Sequence, residues 1–76
     1  MNSKLLSFEL TESNDEIEIH CNEEGLDTLL HCLELVKKYK THDHLISDIW
    51  GGNELTSELQ GSGNRLINKV TVRYWP

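Results

Sequence analysis

Two histidines and several acids lie close together in the segment between residues 41 and 55. Alternate residues of a strand point to the same face, so His42 and His44 would present both imidazoles on one side of a strand. That spacing is acceptable for two metal ligands, and Asp48 or His20 could supply a third. The pattern therefore permits a small metal-binding enzyme or sensor. Nothing in the sequence requires these side chains to converge, so the favoured interpretation is a polar surface stripe or a contact with a partner.

The second part of the same segment combines a tryptophan with Gly51–Gly52 and two polar residues. Such a mixture is typical of a shaped loop, and loops held by a rigid scaffold often carry binding residues. We interpret Trp50 as mainly structural, closing one end of the core, although aromatic residues also anchor interfaces. Asn53 and Glu54 are candidate contact residues.

The thiols and glycines give weaker signals. His20 and Cys21 are neighbours on a predicted strand, where they would point to opposite faces, so the imidazole is badly placed to activate the thiol. Cys21 is expected to pack beside Ile17 and Ile19, and the C-x₂-C spacing of zinc sites is absent. Gly63 precedes a strand rather than a helix, which argues against a dinucleotide-binding loop.

The charge of the chain is unevenly distributed. The net charge is −6, and residues 1–34 hold nine acids against one base. An acidic surface repels nucleic acid and attracts a basic partner. No stretch approaches the length of an apolar membrane span, and no apolar signal core follows Met1. We therefore expect a cytoplasmic protein with reduced thiols, no nucleic-acid ligand and no membrane partner.

Hydrophobic spacing predicts the elements. Alternating runs at 6–10 and 17–21, joined by a polar turn, predict a hairpin. Leucines at three- and four-residue spacing predict a helix over 23–40, capped by Asn22. Residues 42–49 and 66–75 predict two further strands, with Trp75 exposed. The loop over 51–64 between them has room for one helical turn capped by Asn53.

These elements predict a single α+β domain over residues 1–76, with the order β-β-α-β-β. One helix would pack on one face of a small antiparallel sheet and leave the other face open to solvent. If the second and last strands share that open face, some charges of Glu16 and Glu18 would pair with Lys69 and Arg73 across the sheet. The alternative interpretation is that the open face and its acidic edge receive another protein.

Several short motifs of this chain resemble a known family. They comprise the run at 16–26, His42 to Leu45, Trp50 to Leu55, Gly63 to Asn68, and the terminal Trp75–Pro76. The combination resembles small immunity proteins of bacterial polymorphic toxin systems, and most closely the immunity protein 32 family. The similarity covers residues 16–76.

The resemblance implies a cytoplasmic antitoxin-like protein that binds a cognate toxin domain and blocks it. We expect neutralisation by direct occlusion, with no catalytic residues, metal or cofactor. An acidic inhibitor suits a basic toxin such as a nuclease. The alternatives are the metal-binding protein described above and a regulatory subunit of another complex. The residues predicted to bind the toxin are two acids for steering and five side chains for contact: Glu16, Glu18, His42, His44, Trp50, Asn53 and Glu54.

Overall fold

The computed structural model describes residues 3–76, and its elements follow the predicted order β-β-α-β-β, with the last strand divided in two. The strands build two antiparallel sheets, one with the order β2-β1-β4 and one that pairs β3 with β5. A short 3₁₀ helix, Asp48–Trp50, follows the third strand. The bounds are β1 Leu6–Leu10, β2 Ile17–Cys21, α1 Glu23–Tyr39, β3 His42–Ile46, β4 Arg65–Ile67 and β5 Lys69–Arg73.

The helix begins and ends as its sequence predicts. The side chain of Asn22 accepts a hydrogen bond from the amide of Gly25 at 2.9 Å, which satisfies one free donor of the first turn. Lys40 ends the helix in the left-handed conformation, with its amide bonded to the carbonyl of Val36. Within residues 3–76 there is no helix with the length and apolar character needed to cross a membrane.

The start of the helix packs directly on the chain that enters β1. Gly25 is buried, and a Cβ added there would overlap the carbonyl of Leu5. Leu5 in turn donates its amide to the side chain of Asn22 at 3.0 Å. A glycine in the first helical turn is therefore required by close packing, and its intrinsic cost to the helix is offset by that contact.

A break at Asn68 divides the last strand, which the sequence predicts as one continuous element. Its first half, β4, pairs with β1, and its second half, β5, pairs with β3. The buried Ser47 holds the break, because its amide bonds to the carbonyl of Asn68 at 2.9 Å and its hydroxyl to the Asn68 side chain at 2.8 Å. One segment thus joins the two sheets.

The second face of β1 is covered, where the sequence predicts an open face. Ser7 and Glu9 are both completely buried. The carboxylate of Glu9 accepts hydrogen bonds from the Ser7 hydroxyl at 2.6 Å, from the amides of Gln60 and Gly61 at 2.9 Å, and from the Asn64 side chain at 3.0 Å. The loop before β4 therefore covers this face of β1, where it is held by hydrogen bonds to the buried carboxylate of Glu9.

These four donors decide the charge state of Glu9. Burial by itself would raise the pKa of the carboxyl group, but the hydrogen bonds outweigh it and lower the pKa from 4.5 to about 2. Glu9 is thus an anion at neutral pH although it lies inside the protein.

The predicted charge pairs between the second and last strands do not form. Lys69 and Arg73 belong to the sheet of β3 and β5, whereas Glu18 lies in the other sheet. Glu18 instead bonds to the side chain of Asn64 at 3.0 Å and lies 2.9 Å from the His20 ring. The division of the last strand at Asn68 explains this difference, because it carries β5 away from β2.

Replacement of Gly25 by alanine tests the close packing at the start of the helix. Alanine normally favours a helix, but here we expect Gly25→Ala to destabilise the protein by about 1–3 kcal/mol, since the added methyl group has no space. Urea unfolding followed by circular dichroism measures the change. His31→Ala, on the exposed side of the same helix, is the control and should be near neutral. A neutral or stabilising Gly25→Ala would contradict this packing.

Replacement of Glu9 by glutamine tests the buried anion. Because the folded-state pKa is lowered, its stabilisation is complete above pH 4.5 and is lost as the pH falls from 4.5 towards 2. At pH 7, Glu9→Gln should cost about 2 kcal/mol or more, because a charged acceptor is lost and an amide then faces other donors. The cost, measured by urea unfolding, should shrink at pH 3. A cost independent of pH, or one equalled by the exposed control Glu58→Gln, would refute the prediction.

Candidate functional site

A cleft of about 400 Å³ lies between one flank of α1 and strand β3. Helical residues at three- and four-residue spacing form one wall, strand residues form the other, and a loop residue closes one end. The lining side chains are Asp27, Thr28, His31, Cys32, Asp43, His44, Leu45 and Glu54. Three of them are carboxylates, and none is lysine or arginine, so the cleft is anionic.

Backbone hydrogen bonds orient two of the three carboxylates. Asp43 accepts a bond from the amide of His44 at 2.8 Å, and Glu54 accepts one from the amide of Ile46 at 3.0 Å. Both side chains are half-buried, whereas Asp27 is exposed at the rim. A carboxylate has about four acceptor positions, so each retains the capacity to bind a further donor.

The two histidines of β3 share one face, as their spacing predicts. The ring centroids of His42 and His44 are 5.2 Å apart, in an edge-to-face arrangement. The Nδ1 atom of His44 lies 2.9 Å from the hydroxyl of Thr71 on the paired strand β5. This contact fixes the His44 ring beside the cleft, while His42 is exposed.

The candidate metal ligands do not converge. Among residues 3–76, the single group of three metal-ligand side chains within 4.8 Å of one another is Glu9, Glu18 and His20, so neither Asp48 nor His20 joins the pair of histidines on β3. In that group, Glu9 already accepts four hydrogen bonds from protein donors. A cation there would have to displace them, so we interpret the group as structural.

The thiol of Cys32, which lines the cleft, is a poor nucleophile at neutral pH. Burial, followed by the charge of Asp43, a hydrogen bond with the same side chain and the charge of Glu54, raises the pKa of Cys32 to about 11. The thiolate is the nucleophilic form of cysteine, and at neutral pH this thiol is protonated. Cys32 therefore contributes apolar surface and a weak donor. The other thiol, Cys21, is exposed and lies on the same face of β2 as Ile17 and Ile19.

Trp50 lies on the surface, and its interpretation as a plug of the core is wrong. The side chain is 62% exposed and belongs to the 3₁₀ turn Asp48–Trp50. The carbonyl of Ser47 accepts bonds from the amides of Trp50 at 3.1 Å and Gly52 at 2.8 Å, so the chain turns before Asn53. The helical turn predicted to begin at Asn53 is absent from the described loop. Asn53 is exposed, and its carbonyl accepts a bond from Lys4.

The structure gathers only part of the predicted contact set. His44 and Glu54 line the cleft, whereas Glu18 lies on the other sheet and Glu16 immediately before it. The acids Asp27 and Asp43 were not predicted. Asp43 lies two residues before the buried Leu45, so a period of two places both side chains on the same face of β3, and this was the signal in the sequence that Asp43 faces the helix.

Comparison of this chain with protein-family models, with curated proteins and with solved structures found no match. The geometry of the cleft and the surfaces around it is therefore the basis for a functional proposal.

The two thiols should differ strongly in reactivity. In dilute protein at pH 8, we expect a disulfide reagent to modify the exposed Cys21 rapidly and Cys32 at least about a hundredfold more slowly, because Cys32 is buried and almost wholly protonated. Absorbance of the released thiol measures both rates. Cys21→Ser should abolish the fast phase, and urea should expose the slow one. Comparable rates for both thiols in the folded protein would contradict the described cleft.

Proposed function

We propose that this chain is an immunity-type inhibitor, which binds a basic toxin domain and neutralises it by direct occlusion. The observation that carries the proposal is the cleft beside α1, where Asp27, Asp43 and Glu54 meet without a lysine or arginine. An arginine or lysine of a partner, inserted between these acids, would make charge-assisted hydrogen bonds to carboxylates that the fold already orients.

The charge around the cleft supports a basic partner. The net charge of the chain is −6, and α1, which forms one wall of the cleft, carries four acids: Glu23, Glu24, Asp27 and Glu34. Such a field increases the rate at which an oppositely charged protein encounters this surface, and it disfavours acidic competitors. This long-range attraction increases the association rate, whereas the oriented carboxylates of the cleft stabilise the complex after it has formed.

Exposed aromatic side chains provide apolar contacts for the same kind of partner. Trp50 is 62% exposed and Trp75 is 83% exposed. Trp75, together with His42, Arg73 and Tyr74, lines a second hollow of about 340 Å³ at the end of the β3–β5 sheet. Tryptophan and tyrosine are enriched among the residues that dominate binding energy at interfaces. Trp50 and Trp75 are therefore candidate anchors for a partner.

The class of partner follows from the resemblance of residues 16–76 to the immunity protein 32 family. Immunity proteins of this type act on a toxin that is commonly encoded by a neighbouring gene. A regulatory subunit of another complex would use the same cleft for a different basic partner. Co-expression with the toxin of a neighbouring gene distinguishes an inhibitor from a regulatory subunit, because only an inhibitor protects the cell from that toxin.

The decisive measurement combines protection and binding. The chain, co-expressed with the toxin domain of the adjacent gene, should restore growth, and calorimetry should show direct binding. Asp27→Asn/Glu54→Gln should weaken binding about 10- to 100-fold, since two charged contacts are lost while the shapes are kept. The matched control Glu34→Gln/Glu58→Gln removes the same charge at exposed positions outside the cleft.

Three outcomes are informative. Absence of both protection and binding would overturn the inhibitor function. Equal weakening by the two double variants would show that charge acts only at long range, and would reject the cleft as the contact site. Weakening confined to Asp27→Asn/Glu54→Gln is the result that we expect.

A further inference from the structure

Five large aliphatic side chains are left exposed on the other flank of α1. They are between 42 and 50% exposed, whereas the core residues Leu6 and Leu45 are at most 1% exposed. The five are Ile17 and Ile19 on β2 and Leu26, Leu30 and Leu33 on α1. A contiguous apolar surface of this kind on a small domain commonly marks an interaction site.

Strand register and helical spacing place these side chains on one surface. Ile19 is paired with Phe8, whose side chain packs in the core beneath α1, so Ile19 points to the same face of the sheet. The three leucines recur at four and three residues and form one stripe. Because Asp27 and His31 of the cleft lie on the opposite flank, this stripe faces the side of the sheet that ends in β2.

Strand β2 is also an unpaired edge. In the described sheet it pairs with β1 alone. The carbonyl of Glu16 accepts a bond from the amide of Thr11, and the amide of Asn22 donates to the carbonyl of Leu5, both at 3.1 Å across the hairpin. Even-numbered residues thus direct their backbone groups towards β1. The backbone N–H and C=O groups of the odd-numbered residues point outward, where another strand could pair with them. These residues are Ile17, Ile19 and Cys21.

We infer that two copies of this chain associate through β2, antiparallel and edge to edge, with Ile19 opposite Ile19 of the second copy. This register pairs the whole strand, because Ile17 then lies opposite Cys21 of the second copy and every outward backbone group on these residues finds a partner. The two three-stranded sheets become one continuous sheet of six strands. The association is independent of the proposed toxin binding.

Complementarity of the polar side chains selects this register and the second copy as occupant. With Ile19 at the twofold axis, the carboxylate acceptor of Glu18 lies opposite the imidazole ring of His20 of the second copy, which can donate a hydrogen bond, and this pairing occurs twice. A twofold axis at Glu18 would instead oppose two carboxylates, which is destabilising. The apolar surface is also self-complementary, because both helices lie on the same face of the joined sheet and their leucine stripes face each other above β2.

The net charge of −6 on each copy opposes association at long range. Salt screens this repulsion, with a Debye length of about 10 Å at 0.1 M, but does not weaken the apolar contact or the backbone hydrogen bonds. Dimerisation should therefore become tighter as salt increases, whereas binding of a basic partner to the acidic cleft should become weaker.

Sedimentation equilibrium of the full chain tests the association. We expect a monomer–dimer equilibrium whose dissociation constant decreases when the salt concentration is raised from 50 mM to 500 mM. Ile19→Lys, which would bury two like charges opposite each other at the centre of an apolar interface, should weaken the dimer at least about a hundredfold. Ile49→Lys is the matched control, since Ile49 is also exposed but lies in the 3₁₀ turn. A monomer at every concentration, or a dimer that survives Ile19→Lys, would overturn the proposal.

A disulfide trap tests the register and does not depend on the stability of the lysine variant. In Ile17→Cys, the new thiol should lie opposite Cys21 of the second copy, with Cα atoms about 5.5 Å apart, which a disulfide can span. Within one chain, positions 17 and 21 are about 13 Å apart along the strand and cannot join. Mild oxidation should give a covalent dimer in which the introduced thiol of each copy is linked to Cys21 of the other, as identified by peptide mass mapping.

Two controls make the trap decisive. Ile49→Cys should give no comparable covalent dimer, because its position is far from the twofold axis of the proposed association. Ile17→Cys/Cys21→Ser should lose the mapped cross-link. Dimers formed equally by Ile49→Cys, or links that join only the two introduced thiols to each other, would reject the proposed register.

Discussion

The arrangement of this small domain depends on the buried anion of Glu9. A carboxylate inside a protein is tolerated only when hydrogen bonds replace its lost hydration. Here the required donors come from Ser7 on the same strand and from the loop at Gln60, Gly61 and Asn64. One charge on the central strand therefore holds down a loop that is some fifty residues away in the chain, and that loop gives β1 its second cover.

The single helix can cover only one face of β1, and this limit explains the surfaces of the molecule. A domain of this size has little apolar material to enclose a second layer. The face of β1 with Ser7 and Glu9 is closed by polar contacts to the loop, while Leu6 and Phe8 pack against the helix side. The two flanks of α1 are then left open, and their chemistry differs: one is lined by acids and the other by leucines.

The sequence predicted the order of elements, the limits of α1 and the pairing of the first two strands, because these depend on local periodicity and on Asn22 as a cap. It did not predict the burial of Glu9, since a period of two assigns that residue to the solvent side and gives no sign of a distant loop. The division at Asn68 depends on Ser47, which is close in space only after folding. Of the cleft, His44 and Glu54 were predicted, whereas Asp27 and Asp43 required the packing of α1 on β3.

The two proposed interactions are compatible because they use opposite flanks of one helix. In a dimer joined at β2, the leucine stripes of both helices face inward, so the flank that carries Asp27 faces outward in each copy. Each acidic cleft would remain open. The dimer would carry twice the net charge of one copy and would therefore attract a basic partner more strongly at long range. Salt then separates the two interactions physically: it screens the repulsion that opposes dimerisation and equally screens the attraction that favours partner binding.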